Sequence, residues 1–158
     1  MISLVMDTSN SYLAVGLYQD NVCLEAFQEK GSRRQSEKAI PTLKEVLDRH
    51  HIALKDVNEM IITSGPGSYT GVRVAMTIAK TLAAVSDVRI KSVSSLAAYA
   101  GMNQALSVID ARGHKVFVGV YENGLPLIKE QVMTLEDFAQ LRAEYGDFEL
   151  VRSEERRV

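Results

Sequence analysis

The chain has 158 residues, 46% hydrophobic and 24% charged, with a formal net charge of −2. That length buries one good core, or one domain and part of another. The charge excludes a protein built mainly to coat nucleic acid, which needs a strong excess of Lys and Arg. No signal-peptide pattern precedes the first apolar run, and no apolar run approaches the roughly 18 residues of a membrane span. The expectation is a cytoplasmic chain with no membrane contact. Its single Cys23, in the run Val22-Cys23-Leu24, cannot form an internal disulfide and is expected to be a buried, inert thiol.

The chain opens with an apolar strand ending at Asp7, a polar turn, and a second strand ending Val15-Gly16-Leu17-Tyr18. Asp20-Asn21 then turns into a third strand. A helix follows over 36–51, with Pro41 either kinking it or marking the first turn of its main segment. Strand 59–63, helix 70–86, a strand near 88–93 and helix 94–102 come next. The opening then repeats. Val5, Asp7, Val15, Gly16 and Tyr18 match Val108, Asp110, Val118, Gly119 and Tyr121, each 103 positions on (Val5 to Val108), and Asn123-Gly124 supplies the next turn. After it there is room for a strand over 127–132 and a helix over 134–145, with Thr134 as N-cap and Asp137 three residues on. The charged ending from Arg152 to Val158 is expected to fray.

A meander followed by alternating helices and strands implies a mixed α/β sheet covered by helices. With its opening unit repeated, this is the plan of the actin-like, RNase H-like group, in which two related domains face each other across a cleft. The expected division is a complete first domain over 1–103 and a partial second copy over 104–158.

Residues Ser64–Arg73, Ser-Gly-Pro-Gly-Ser-Tyr-Thr-Gly-Val-Arg, join strand 59–63 to helix 70–86. A glycine-rich turn at a helix N-terminus is either an anion cradle or a tight structural turn. The usual phosphate fingerprints fail, since Thr70 stands where GxGxxG needs glycine and no Gly-Lys-Ser/Thr follows. The stretch resembles the Gly-Pro-Gly-Ser-Phe/Tyr-Thr-Gly-Leu/Val-Arg segment of the TsaB (YeaZ) family, the non-catalytic partner subunit of bacterial threonylcarbamoyladenosine tRNA modification. Arg34-Gln35-Ser36-Glu37 with Pro41 is similar to that family's Arg-His-Ser-Glu…Pro stretch, Gln35 replacing His. Val108-Ile109-Asp110-Ala111-Arg112 is similar to its Val-Ile-Asp-Ala-Arg strand. The likeness runs from residue 2 to about residue 125, and members are typically longer beyond it.

Candidate chemistry is sparse. Asp7, Thr8 and Asp110 occupy the places where actin-like ATPases meet phosphate and Mg²⁺. The alternative is a turn in which Asp7 and Thr8 bond nearby amides. The adenosine loop of the later second domain has no counterpart here. His50 and His51 are adjacent and diverge by about 100° on a helix, and His114 lacks an obvious partner. The catalytic relative of the resembled family carries His-x-x-x-His where this chain has Ser95-Leu96-Ala97-Ala98-Tyr99, so no metal site is expected. No Gly-x-Ser-x-Gly elbow occurs, and no catalytic residue is assigned. Lys30, Arg33, Arg34 and Lys38 form a small basic cluster, partly neutralised by Glu29 and Glu37.

Helix 70–86 is apolar on two sides. Val72, Ala75, Met76, Ala79, Leu82 and Ala83 make one stripe, and Val74, Ile78 and Val85 a second. One stripe covers the sheet; the other needs either a neighbouring helix or a partner. The resemblance implies pairing through first-domain helices, with candidate interface residues Glu37, Ile40, Leu43, Leu47, Tyr69, Val72, Arg73, Met76, Ala79 and Lys80. It also implies a homodimer when alone, a catalytic TsaD-like subunit, a TsaE-like ATPase, and tRNA contacted only through the complex. No cofactor of its own is expected, ATP or ADP binding only at a site shared with the partner. The runner-up is an actin-like ATPase or phosphotransferase using Asp7, Thr8 and Asp110; a weaker third reading is a tRNA-binding module built on the basic cluster.

Overall fold

The computed structural model describes residues 1–30 and 35–152. The chain forms two compact units, Met1–Val93 and Ser94–Val158. In the first, β1 (Ile2–Asp7), β2 (Tyr12–Gln19) and β3 (Val22–Lys30) form the expected antiparallel meander. Helix α1 (Gln35–Arg49) then leads through a short 3₁₀ turn at Leu54–Asp56 to β4 (Glu59–Thr63), which pairs parallel with β1. Helix α2 (Tyr69–Val85) returns the chain to β5 (Arg89–Val93), parallel to β4. The sheet order is β3-β2-β1-β4-β5.

Period-two alternation sends Leu4, Met6, Leu13, Val15, Leu17, Met60 and Ile62 to one face, where Ala39, Leu43, Val46 and Leu47 of α1 and Ala75, Ile78 and Ala79 of α2 complete the core. The opposite face is mixed, with Ser3, Asp7 and Glu59 beside Val5, Ala14 and Ile61. Buried Glu59 accepts from Ser3 Oγ at 2.8 Å and meets Lys91 Nζ at 2.6 Å. Those partners, Lys91 first, hold its carboxyl below the usual carboxylate range. Pro41 lies inside α1 with its ring exposed.

The second unit holds α3 (Ser95–Ala100), β6 (Ala105–Arg112), β7 (Lys115–Glu122), β8 (Leu125–Pro126), β9 (Gln131–Thr134), α4 (Leu135–Glu144) and β10 (Glu149–Arg152). Strand β10 pairs parallel with β6, giving the order β10-β6-β7-β8, with β9 pairing further along β7. Helix α4 covers Leu106, Val108, Val116, Val118 and Val120, while α3 covers Ala105, Ile109 and Tyr121 on the other face. The strand–strand–strand–helix–strand order of the first unit is thus repeated, with β8 and β9, both paired to β7, in the place of the single β3. The architecture is the actin-like, RNase H-like α/β plan.

Several expectations change. The units divide at Val93/Ser94 rather than 103/104, because α3 buries Leu96 and Ala100 on β6 and β7. The strand expected over 127–132 is two short strands. Between them Glu130 turns in to accept a hydrogen bond from the Tyr121 hydroxyl. The second copy extends further than expected, since Glu149–Arg152 is a strand that takes in Arg152, read as the start of a frayed ending; the rest of that ending, 153–158, lies outside the described residues, as do Arg33 and Arg34. Cys23 is exposed, because β3 is the edge strand and its register shifts between Leu17 and Tyr18.

The repeat itself is out of step. In the first unit Val5 pairs with Gly16 and Asp7 with Ala14; in the second Val108 pairs with Val118 and Asp110 with Val116. The second hairpin is one residue shorter between such pairs, and a one-residue slip turns a strand's side chains to the other face. The β2/β7 identities are equivalent, with Tyr18 and Tyr121 lying over Gly16 and Gly119. The β1/β6 identities are not, so Asp110 is not the counterpart of Asp7.

Candidate functional site

The glycine-rich turn closes on the β1–β2 turn of its own chain. Strands β1 and β4 run parallel side by side, so both turns leave the same end of the sheet. Ser68 N donates to Ser9 O at 2.7 Å, and Ser68 Oγ caps α2 by accepting from Gly71 N at 3.1 Å. Thr8, fully buried, donates its hydroxyl to Gly71 O at 2.5 Å. The approach demands glycine. A Cβ on Gly71 would stand 1.8 Å from Thr8 O, and one on Gly67, at φ +158°, 2.4 Å from Ser9 O. The backbone of Thr8 and Ser9 therefore occupies the space that a side chain at 67 or 71 would need.

Asp7 is committed in the same way. Its Oδ1 accepts from Ser9 N at 2.8 Å, Ser9 Oγ at 2.6 Å and Thr63 Oγ1 at 2.6 Å. Asp7 thus bonds the nearby Ser9 amide, as in the turn named above, whereas Thr8 bonds a carbonyl 63 positions away rather than a neighbouring amide. Thr63 was not singled out from sequence; the parallel pairing of β1 with β4 is what delivers it. Asp110 accepts from Arg112 N at 2.8 Å within the β6–β7 turn. Among the described residues no three His, Cys, Asp or Glu side chains converge on a possible metal position. His50 bonds Glu25 through Nε2 at 2.8 Å, and Arg49 grips the same carboxylate, chiefly lowering its proton affinity. Ser95 is fully buried in α3, and Ser94 caps the helix, accepting from Leu96 N at 3.1 Å. Within the basic cluster Lys38 pairs with Glu29 at 3.2 Å.

A groove of about 370 Å³ runs between α1 and the first half of α2, lined by Ser36, Ile40, Tyr69, Arg73, Val74 and Thr77 among others. Ile40 is 59% exposed and Tyr69 75% exposed beside it. Arg73 stacks over the Tyr69 ring at 5.3 Å and donates to its hydroxyl at 3.1 Å. Of the interface candidates, Glu37, Ile40, Tyr69, Arg73 and Lys80 are exposed, and Val72 and Met76 are half-buried. Leu43, Leu47 and Ala79 are core residues and cannot reach a partner. The two stripes of α2 do not serve two surfaces. Ile78 from one and Ala75 and Ala79 from the other all enter the core. The groove residues Ser36, Thr70 and Thr77 were missed, being polar and outside both stripes.

The comparisons agree on one group of proteins. The family model of TsaD, tRNA N6-adenosine threonylcarbamoyltransferase, matches residues 28–152. The tRNA threonylcarbamoyladenosine biosynthesis protein TsaB of Bacillus subtilis is 32% identical over 91% of this chain, which spans 67% of that protein. The Escherichia coli TsaB is 31% identical over 77% of this chain, which spans 57% of it. The solved structure of YeaZ from Pseudomonas aeruginosa superimposes with a TM-score of 0.75 at 27% identity, covering 84% of this chain and 67% of that one. No helix among the described residues is long and apolar enough to cross a membrane.

Proposed function

Because this chain belongs to the TsaB (YeaZ) family of tRNA threonylcarbamoyladenosine biosynthesis proteins, we propose that it is a cytoplasmic, non-catalytic scaffold for the threonylcarbamoyl-transferring subunit. It makes that subunit competent to modify adenosine 37 of tRNAs reading codons that begin with A. A TsaE-like ATPase and the tRNA join through the assembled complex, and any ATP or ADP binds at a site shared with the partner. The observation that carries the reading is the α1–α2 groove, where Ile40 and Tyr69 stand in solvent on a core-packed pair of helices. Exposed large apolar groups clustered around a groove mark binding surfaces. The internal engagement of Asp7, Thr8 and Gly71 argues against phosphoryl transfer at that turn. Alone, the chain is expected to place the same face against a second copy.

The test is reconstitution. Wild-type chain should bind the threonylcarbamoyltransferase encoded in the same genome and restore threonylcarbamoyladenosine in tRNA, read by nucleoside mass spectrometry. Ile40→Asp should lose both while its melting transition stays near wild type. Robust ATP turnover by the isolated chain, abolished by Asp7→Ala, would replace the scaffold with the ATPase.

A further inference from the structure

Helix α2 contains no Asp or Glu from Tyr69 to Val85, and its charges are Arg73 and Lys80 alone. Both are exposed, and among the described residues neither makes an ion pair. Seven residues apart, they lie on one face about two turns, or roughly 10 Å, from each other. Arg73 is also held over Tyr69, at the edge of the groove. On α1 the other charges largely cancel: Lys44 pairs with Asp48 at 2.7 Å, Arg49 with Glu25 and Glu45, and Lys38 with Glu29. Among the described residues Glu37, exposed at the groove end, has no such pairing.

We infer that this face is charged to receive an acidic helix of the transferase subunit, carrying two carboxylates about seven residues apart beside one apolar side chain that enters the groove. The inference rests on the scaffold reading and specifies its partner surface. Symmetry sets a second copy apart from such a helix. A two-fold axis crossing α2 between Met76 and Thr77 places each residue i beside residue 153−i of the other copy. Arg73 then meets Lys80, and the clash occurs twice because a two-fold contact is repeated. Axes displaced by a residue still gather four cations within about a Debye length. An acidic helix removes every one of these repulsions and pairs both cations, so charge selects the heteromeric contact and keeps the self-contact weak.

The experiment measures self-association by sedimentation, and binding to the transferase of the same genome by calorimetry, for wild type, Arg73→Glu and Lys80→Glu. Raising NaCl from about 50 to about 500 mM should weaken the transferase complex about ten-fold and leave self-association unchanged or tighter. Each charge reversal should weaken transferase binding about ten-fold and tighten self-association by a similar factor, because it converts two repulsions into two attractions. Among the described residues Lys80 makes no ion pair, so it reports even if Arg73→Glu disturbs Tyr69. Reversals that weaken both associations, or transferase binding insensitive to salt and to both variants, would overturn the inference while leaving the scaffold reading intact. Failure of wild type to bind the transferase at any salt would defeat the scaffold reading instead. In that case a reversal that tightens self-association would still uphold the charge rule on α2.

Discussion

Replacing Gly71 with Ala tests the latch between the two turns. The added methyl would stand 1.8 Å from Thr8 O and 3.4 Å from Ser68 Cβ, against fixed backbone on one side and a helix cap on the other. Neither can give way without moving the Thr8 hydroxyl bond to Gly71 O or the Ser68 cap. Overpacking in a tight site costs about 1–3 kcal/mol, and a lost cap about 1 kcal/mol more. A total near 3 kcal/mol corresponds to roughly 6–12 °C in melting temperature for a chain of this size. Gly146→Ala is the control, since its nearest neighbour is 3.6 Å away and its φ is not positive. Thermal melts followed by far-UV circular dichroism should show Gly71→Ala depressed by that amount and Gly146→Ala unchanged. A Gly71→Ala protein melting within about 2 °C of wild type would mean that the turn is loose and the cradle space open, and the argument against a phosphate site would fall.

Ile78→Asp should unfold the first unit, costing more than about 3 kcal/mol, because Ile78 is 7% exposed in the core, whereas Ile40→Asp should leave the melt unchanged. Glu59 has a lowered folded-state pKa, so it stabilises the chain above its ordinary value of 4.5 and that contribution fades as pH falls through the depressed value. Lys91→Ala removes the main cause, and acid unfolding followed by circular dichroism should begin at a higher pH. Tyr121 has its phenol pKa raised by burial and by Glu130, so its stabilisation holds below pH 10 and is lost as pH climbs above it. Tyr121→Phe should cost about 1 kcal/mol at pH 7 and flatten the alkaline loss of stability in the second unit.

The meander, both long helices and the turn at Ser64–Arg73 were legible because each has a local cause: period-two runs, a 3.6-residue period, glycines and a capping serine. The signals that failed are non-local. Strand β10 follows α4 with only four residues, Glu149–Arg152, and earns its pairing from β6, far away in sequence. The identity of Asp7 with Asp110 was visible, but the one-residue difference in hairpin length that reverses its meaning appears only once the strands are paired. Leu43, Leu47 and Ala79 looked available because an apolar helical stripe does not say which neighbour takes it. The groove went unread for the opposite reason. Ser36, Thr70 and Thr77 are ordinary polar residues until two helices bring them together.

The hydrogen bond from Thr8 to Gly71 spans 63 positions. Closing a segment of that length costs chain entropy before any contact repays it, while β1, β2 and β3 can zip through short turns. The latch is therefore expected to close late in assembly, and a φ-value near zero for Gly71→Ala would be the sign of it. Interactions absent from the folding transition state act almost wholly on the rate of escape from the folded state. On that expectation Thr8 and Gly71 govern how long the first unit survives between openings, and substitutions there should speed unfolding far more than they slow folding.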